Sequence, residues 1–338
     1  MVVDSISASG AFWRHTGPLG RLRKSRRDVN LIYMHVDRVS WAELALSDIV
    51  FMQRPFSLQH LDIFENARAT GTKIWLDYDD DLFNIPIDNA TFDTYMDKDV
   101  KQRIAHMVRH ADAVSVSTPD LYEKLKGLAK GLLQIVPNAI PAEFFPWRDR
   151  SGTNMAERSE EIRVYWRGSK HHQADLTDYG LEIVEVAKKH PDVKFIFHGF
   201  RPWWIVKCIE NGVDISPSDV IKFHKTMRAF RPDILIVPLA DNTFNKSKSN
   251  IAWIEGTMAG AATIAPRWPE WTMPGIKSYD SDKDFRNTLD EMICQAKEDR
   301  SKLHAASNES WKYILENLTL DKVNKKRALI IDALSGLK

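Results

Sequence analysis

Cysteine is nearly absent from this 338-residue chain. Cys208 and Cys294 are the only two; they cannot build a disulfide framework and lack the short spacing that marks a zinc site in a sequence. No apolar run approaches the ~18 residues of a membrane span, and Met1 to Trp13 lacks the basic start and long apolar core of a signal peptide. Glycine and proline, fifteen each, are too few for collagen-like or low-complexity material. Net charge is also lacking, since 47 Lys+Arg face 46 Asp+Glu. What is present is apolar: 43% hydrophobic residues with 11 Trp and 15 Phe, enough to bury the cores of two ordinary domains. Together these features predict a folded cytoplasmic protein without a membrane span.

The balanced charge is segregated along the chain. Arg14, Arg21, Arg23, Lys24, Arg26 and Arg27 crowd the start, whereas eight aspartates lie between Asp77 and Asp99. Short β-branched runs alternate with helical segments throughout. Val29–His35, Asp48–Gln53, Lys73–Tyr78, Ala113–Ser117 and Leu133–Val136 read as buried strands. Ser57–Ala69 and Asp97–His110 read as helices, with Ser57 and Asp97 as N-caps. The tract Pro137–Thr153, rich in turn residues, interrupts the pattern. It then restarts with strands at Ile162–Trp166, Val193–His198, Val220–His224, Asp233–Pro238 and Ala262–Ala265. Helices are expected at Gln173–Lys189, at Ser249–Ala259 and over most of the chain from Asp282 onward. Alternation of this kind implies parallel sheets covered by helices. The fold class is therefore α/β, with two Rossmann-like domains facing a cleft. Expected boundaries are 1–145, a linker at 146–160, a second domain at 161–316, and a helix at 317–338 returning to the first domain.

Ligands of open parallel sheets bind beyond the carboxyl ends of the strands. After Ile162–Trp166 comes Arg167-Gly-Ser-Lys-His-His172. The Gly168-Ser169 turn, leading into a helix, leaves backbone N–H groups free to face an anion. Arg167, Lys170 and His171 or His172 add positive charge. Neither the Walker loop nor G-x-G-x-x-G occurs here. After Asp233–Pro238 a polar loop carries Lys246, Lys248, Ser249 and Asn250 into the next helix, where Glu255 lies about two turns in. A lysine at a helix N-terminus opposes the helix dipole, so Lys248 points to a bound anion. In the first half, Asp77-Tyr-Asp-Asp-Asp81 follows a strand. Crowded carboxylates raise one another's pKa, which makes Asp79 or Asp80 a candidate base. The competing readings are a metal site and a solvated acidic loop.

These segments resemble a GT-B fold glycosyltransferase of the family 4 or "glycosyl transferases group 1" type, including divergent phage-type members. The resemblance rests on Ile135-Val-Pro-Asn-Ala-Ile140 with Phe144 or Phe145, on Arg167 and Lys170, and on Ile236-Val-Pro-Leu239. It is extended by Lys248-Ser-Asn-Ile-Ala-Trp-Ile-Glu255 and Gly260-Ala-Ala-Thr-Ile-Ala265. It implies a nucleotide-sugar donor, such as a UDP-sugar, held by Arg167, Gly168, Ser169, Lys170, His172, Lys248, Ser249, Asn250 and Glu255. Glu255 would hold the ribose. Many members carry an acid eight positions earlier, where this chain has Ser247. The resemblance further implies retention of anomeric configuration, and no cofactor or metal, with Asp79 and Asp80 as the candidate catalytic groups beside an acceptor hydroxyl. The basic tract suits a polyanion, which places Trp13, Arg14, His15, Arg21 and Arg23 on the acceptor side and admits a hydroxymethylated base in DNA. The alternatives are a glycan- or small-molecule-directed transferase and an inactive nucleotide-sugar-binding protein.

Overall fold

The computed structural model describes residues 1–3, 9–141 and 160–336. The expected linker, apart from Glu160, lies outside these residues, as do Phe144 and Phe145. The first sheet contains β1 (Val2–Val3), β2 (Tyr33–Met34), β3 (Ile49–Gln53), β4 (Lys73–Tyr78), β5 (Ala113–Val116) and β6 (Leu132–Ile135). Their order is β2-β1-β3-β4-β5-β6, and all pairs are parallel. The second contains β7 (Arg163–Gly168), β8 (Lys194–Gly199), β9 (Gly212–Ile215), β10 (Ile234–Ile236), β11 (Ala262–Pro266) and β12 (Ile276–Tyr279). It is also parallel, ordered β12-β11-β10-β7-β8-β9. The chain thus forms two Rossmann-like domains. In each sheet the strand order reverses direction once, beside β1 in the first and beside β7 in the second. A crevice opens at such a switch point, because successive connections leave on opposite faces.

Local signals explain most of the elements. The Ser57 hydroxyl accepts from His60 N at 3.2 Å and starts the helix Leu58–Thr70, which Gly71 ends in the left-handed region at φ 81°. Asp97 caps Lys98–His110 in the same way. One assignment is corrected. Val220–His224 is not a strand but the first half of a helix, Val220–Phe230. The Asp219 carboxylate accepts from Ile221 N and Lys222 N, both at 3.0 Å, and so fixes a helical first turn. Val220, Phe223 and Met227 then share one face, and Met227 is buried. The apparent β-alternation belonged to that helical stripe. Of the expected strand Val29–His35, only Tyr33–Met34 pairs; β9 and β12 were not anticipated.

Three helices follow β12, namely Asp282–Glu298, Ser301–Asn317 and Leu320–Ser335. The last lies on the first domain, where Leu320, Val323 and Ile330 join Leu19, Leu22, Val136 and Ala139 in one buried cluster. The returning chain pairs with the outgoing one. Ile140 N donates to Leu318 O at 3.0 Å, and Leu320 N to Ile140 O at 2.9 Å. Each domain also lends the other an aromatic side chain: Trp13 is buried in a cluster with Tyr165 and Trp253, and Phe244 in one with Leu82 and Leu121. Among the described residues no helix is long and apolar enough to cross a membrane.

Candidate active site

Between the carboxyl ends of the two sheets lies a cavity of about 480 Å³. From the first domain it is lined by Gly10, Trp13, Arg54, Asp79, Asp80 and Tyr95, and from the second by Arg167, Gly168, His172, His198, Lys248 and Glu255, among others. It opens at the switch point of the second sheet, between the turns that follow β7 and β10.

The turn after β7 is built for close backbone approach. A Cβ on Gly168 would sit 2.6 Å from the Trp166 ring, and one on Gly199, at φ 111°, would sit 2.0 Å from Gly168 O. Arg167 projects from the strand end with Nε 2.7 Å from Glu255 Oε2. His224 Nε2 approaches the other Glu255 oxygen at 3.4 Å. Glu255 is 4% exposed, so an arginine and a histidine face a carboxylate in a nearly dry corner. His198, at the end of β8, receives the Tyr165 hydroxyl on Nδ1 at 2.6 Å. Burial drives its pKa down to about 4, with Arg167 adding to the effect against Glu255, so the ring is neutral. Its Nε2 has no protein partner among the described residues.

His172 and Lys248 meet over Asp175. His172 Nδ1 lies 2.8 Å from Asp175 Oδ2 and 3.3 Å from Lys248 Nζ. The other Asp175 oxygen accepts from Ala240 N at 2.9 Å and from Asn245 Nδ2 at 2.8 Å. One buried carboxylate thereby ties the turn after β7 to the loop after β10. Burial lowers the pKa of Lys248, with Arg167 adding to the effect and Asp175 and Asp80 opposing it. Ser249 lines the cavity and accepts from Asn138 Nδ2 of the first domain at 2.7 Å.

Several expected residues do not come together. Lys170 is exposed and does not line the cavity, because Ser169 closes a short turn, Lys170–His172, that aims it at solvent. Its place beside Arg167 is taken by Lys248. Lys246 pairs with Asp241 and lies over the Trp268 ring. Asn250 is buried and donates to Glu270 O at 3.3 Å, away from the cavity.

The aspartate cluster is also not what crowding suggested. Arg54 follows β3 with φ 47° and pairs bidentately with Asp79, and its Nη1 reaches Asp80 Oδ2 at 3.0 Å. Burial works to raise the Asp79 pKa, but the charge and hydrogen bonds of Arg54 outweigh it and bring it to about 2. Such a carboxylate is a poor proton acceptor near neutral pH. Asp77 is taken by Arg14, and Asp81 by Lys124 at 2.9 Å.

None of the cations of the basic tract lines the cavity. Arg14 is 1% exposed and spends itself on Asp77, Val136 O and Asn138. His15 is fully buried beside Phe51. Arg21 pairs with Asp321 and Arg26 with Asp28 and Asp332, so two of these cations hold the C-terminal helix. Arg23 is exposed but does not line the cavity, and of the five expected residues only Trp13 does. Residues that sequence reasoning missed include Arg54, Asp175, His198 and His224. His198 ends a correctly read strand and was open to the same rule that found Arg167. His224 was hidden by the misread helix.

Among the described residues, one set of side chains is close enough to share a metal ion: His190, Asp290 and Cys294. It lies at the end of Gln173–Lys189 opposite the cavity, about 24 Å away at the rise of an α-helix. Lys189 Nζ already occupies an Asp290 oxygen at 2.7 Å.

No protein-family model matches the chain, and no curated protein matches it. Solved structures do. HepE of Anabaena, crystallised with UDP and glucose, superposes with a TM-score of 0.65 at 11% identity, covering 98% of each chain. Sucrose-phosphate synthase of Thermosynechococcus elongatus gives 0.63 at 12% identity, over 86% of this chain and 74% of the other. A glycosyltransferase from Rickettsia africae gives 0.59 at 13%, over 98% and 89%. Two Rossmann-like domains with parallel sheets facing a cleft are the GT-B architecture, and that is the fold of this chain.

Proposed function

We propose that the chain is a nucleotide-sugar-dependent glycosyltransferase. The observation that carries this reading is the convergence of Arg167 and Lys248, from two strand-to-helix turns at a switch point, on one cavity of a GT-B fold. Two cations lining one cavity suit a diphosphate, and Glu255 suits the hydroxyls of a ribose. As the bond from the anomeric carbon to the donor phosphate breaks, Arg167 and Lys248 stabilise the charge left on the nucleoside diphosphate. Domain facing supplies the rest, by holding an acceptor hydroxyl against the anomeric carbon; as the new C–O bond forms, the hydroxyl proton passes to the phosphate oxygen that leaves. The family 4 resemblance of the segment Lys248–Glu255 supports this reading, as does the fold shared with HepE, whose structure holds UDP and glucose.

Every cavity-lining carboxylate among the described residues (Asp79, Asp80 and Glu255) is paired with an arginine. That leaves no carboxylate set up as the base that inversion would use, which supports retention. Asp79 then orients Arg54 toward the acceptor side rather than take a proton, with Asp80 as the guanidinium's second partner. The acceptor is a sugar or another small polyhydroxylic molecule. With Arg14 buried against Asp77, and Arg21 and Arg26 paired with aspartates at the surface, the basic tract no longer favours DNA.

The test is release of nucleoside diphosphate from a panel of nucleotide sugars, with and without sugar acceptors. Turnover should persist in EDTA. Arg167→Ala and Lys248→Ala should each weaken donor binding about ten- to a hundredfold, the usual range for charge-assisted contacts. Absence of binding by every nucleotide sugar would sink the proposal.

A further inference from the structure

We propose that a diphosphate entering the cleft brings one proton with it, taken up from solvent on Nε2 of His172, and that Asp175 is the positioning residue for this uptake. The inference rests on the reading that the cavity takes a nucleoside diphosphate.

Geometry assigns the two ring nitrogens different tasks. Nδ1 lies 2.8 Å from Asp175 Oδ2, and that carboxylate is 2% exposed. Asp175 cannot turn away, because Ala240 N and Asn245 Nδ2 hold its other oxygen. The nearer and fixed carboxylate keeps a proton on Nδ1, with Lys248 Nζ at 3.3 Å a like-charged neighbour rather than a donor to it, and leaves Nε2 as the nitrogen that titrates. His172 lines the cavity with 23% of its side chain exposed, and no protein group among the described residues bonds Nε2.

The charges around the ring set the direction of the change. Asp175 faces it from the helix Gln173–Lys189, Lys248 from the loop before Ile251–Ala259, and Arg167 from the end of β7. Asp80, across the cleft, acts on Lys248. Burial first and Lys248 second lower the pKa of His172 despite Asp175, which favours the neutral imidazole. A diphosphate adds two to three negative charges beside Lys248 and Arg167. Those charges offset Lys248 and Arg167 and raise the pKa of His172, so the imidazolium, already paired with Asp175 on its far side, is favoured. Proton and diphosphate therefore bind together, and by linkage the affinity for the diphosphate must fall as pH rises.

The experiment is calorimetry of UDP binding, and of pyrophosphate as a base-independent probe, in buffers of different ionisation enthalpy. Work between pH 7.5 and 8.5 avoids titration of the UDP phosphates, whose last pKa is about 6; pyrophosphate loses its last proton at higher pH, so it reports affinity only and UDP alone reports the proton count. The expected result is uptake of up to about one proton per UDP, with affinity falling up to about tenfold across that interval. His172→Gln should bind UDP more weakly with no uptake and a flat pH profile. Asp175→Asn keeps a hydrogen-bonding side chain but loses the compensating charge, so it should reduce the uptake. A purely structural role for Asp175 predicts instead a lowered melting temperature with unchanged uptake, which would overturn its assignment. UDP binding without proton uptake in the unmodified protein overturns the inference and leaves the proposed function standing. Uptake that persists in His172→Gln assigns the proton elsewhere and also overturns it. If neither UDP nor pyrophosphate binds, this inference falls, and the proposed function falls with it only if no nucleotide sugar of the panel binds.

Discussion

Arg14 and Arg327 carry the same charge into the same buried region under opposite conditions. Arg14 has a full set of acceptors, with Nε and Nη2 on the two Asp77 oxygens at 2.8 and 2.7 Å. Arg327, on the C-terminal helix, bonds Asn324 Oδ1 at 3.1 Å, and its Nη2 finds no partner among the described residues. Burial, with Arg14 adding to it, pushes its pKa down to about 9. Breaking the satisfied pair strands a buried charge, so Asp77→Asn should destabilise the fold by about 3–5 kcal/mol. Arg327→Met removes an incompletely paired charge of similar volume and should be neutral or stabilising. Urea denaturation of the two variants tests the contrast, and equal losses would refute it. Glu270 offers a second test. Burial lifts its pKa to about 8, against a hydrogen bond involving Asn250. Below its ordinary pKa of about 4.5 the carboxyl is protonated whether folded or not. Between there and 8 the unfolded chain ionises while the folded one keeps its proton, so stability drains away as pH rises. Glu270→Gln should therefore melt higher than the unmodified protein at pH 8–9, and the two should converge near pH 5. An offset independent of pH would contradict this.

At the level of elements, regular segments with strong local signals were legible. Lys73–Tyr78 and Gln173–Lys189 stand as read, because their apolar spacing and flanking turns admit one periodicity. The edge strand β9 was not legible, since Gly212–Ile215 is half exposed and carries little apolar pattern. Val220–Phe230 was misread because five residues of mixed spacing satisfy both periods, and the cap that decides between them lies one residue earlier. That cap has a functional consequence, since Phe223 lines the cavity and His224 faces Glu255. Asp219→Ala should cost about 1 kcal/mol of stability and weaken nucleotide binding, whereas Asp219→Asn should preserve both. Equal nucleotide affinity in the two variants would show that the helix holds its place without the cap.

For the molecule as a whole, the relation between the domains is fixed by exchanged side chains. Lys124 of the first domain bonds Thr243 O at 3.1 Å and Ser247 Oγ at 2.5 Å, and Thr118 donates to Ser247 O at 3.0 Å. Ser247, in the place where many of the resembled family carry an acid, is here a completely buried domain contact. Beside it Phe244 enters the core of the first domain, with Lys248 Nζ 5.1 Å from its ring centroid. Phe244→Ala should cost about 3–5 kcal/mol and separate domain unfolding into two calorimetric transitions. It should also free Lys248 and weaken donor binding. A single transition with only a lowered midpoint would argue that the two domains are coupled elsewhere.

Sequence alone determined the alternation of strands and helices, hence two parallel α/β domains and a cleft at their carboxyl ends. It also found Arg167, Lys248 and Glu255 on the segments that reach the cleft. These follow from periodicity, capping and turn chemistry, which act over a few neighbouring residues. Tertiary structure alone decided which charges are spent. Lys170 points away while Lys248, remote in sequence, stands by Arg167; Asp79 is neutralised by Arg54; and Arg14 is consumed by Asp77 rather than offered to an acceptor. The basic and acidic tracts looked like two solvated or ligand-binding faces because sequence shows charge without burial or partner. Those depend on which turns the strand order brings side by side, and on the low dielectric that makes an ion pair obligatory once both groups are inside.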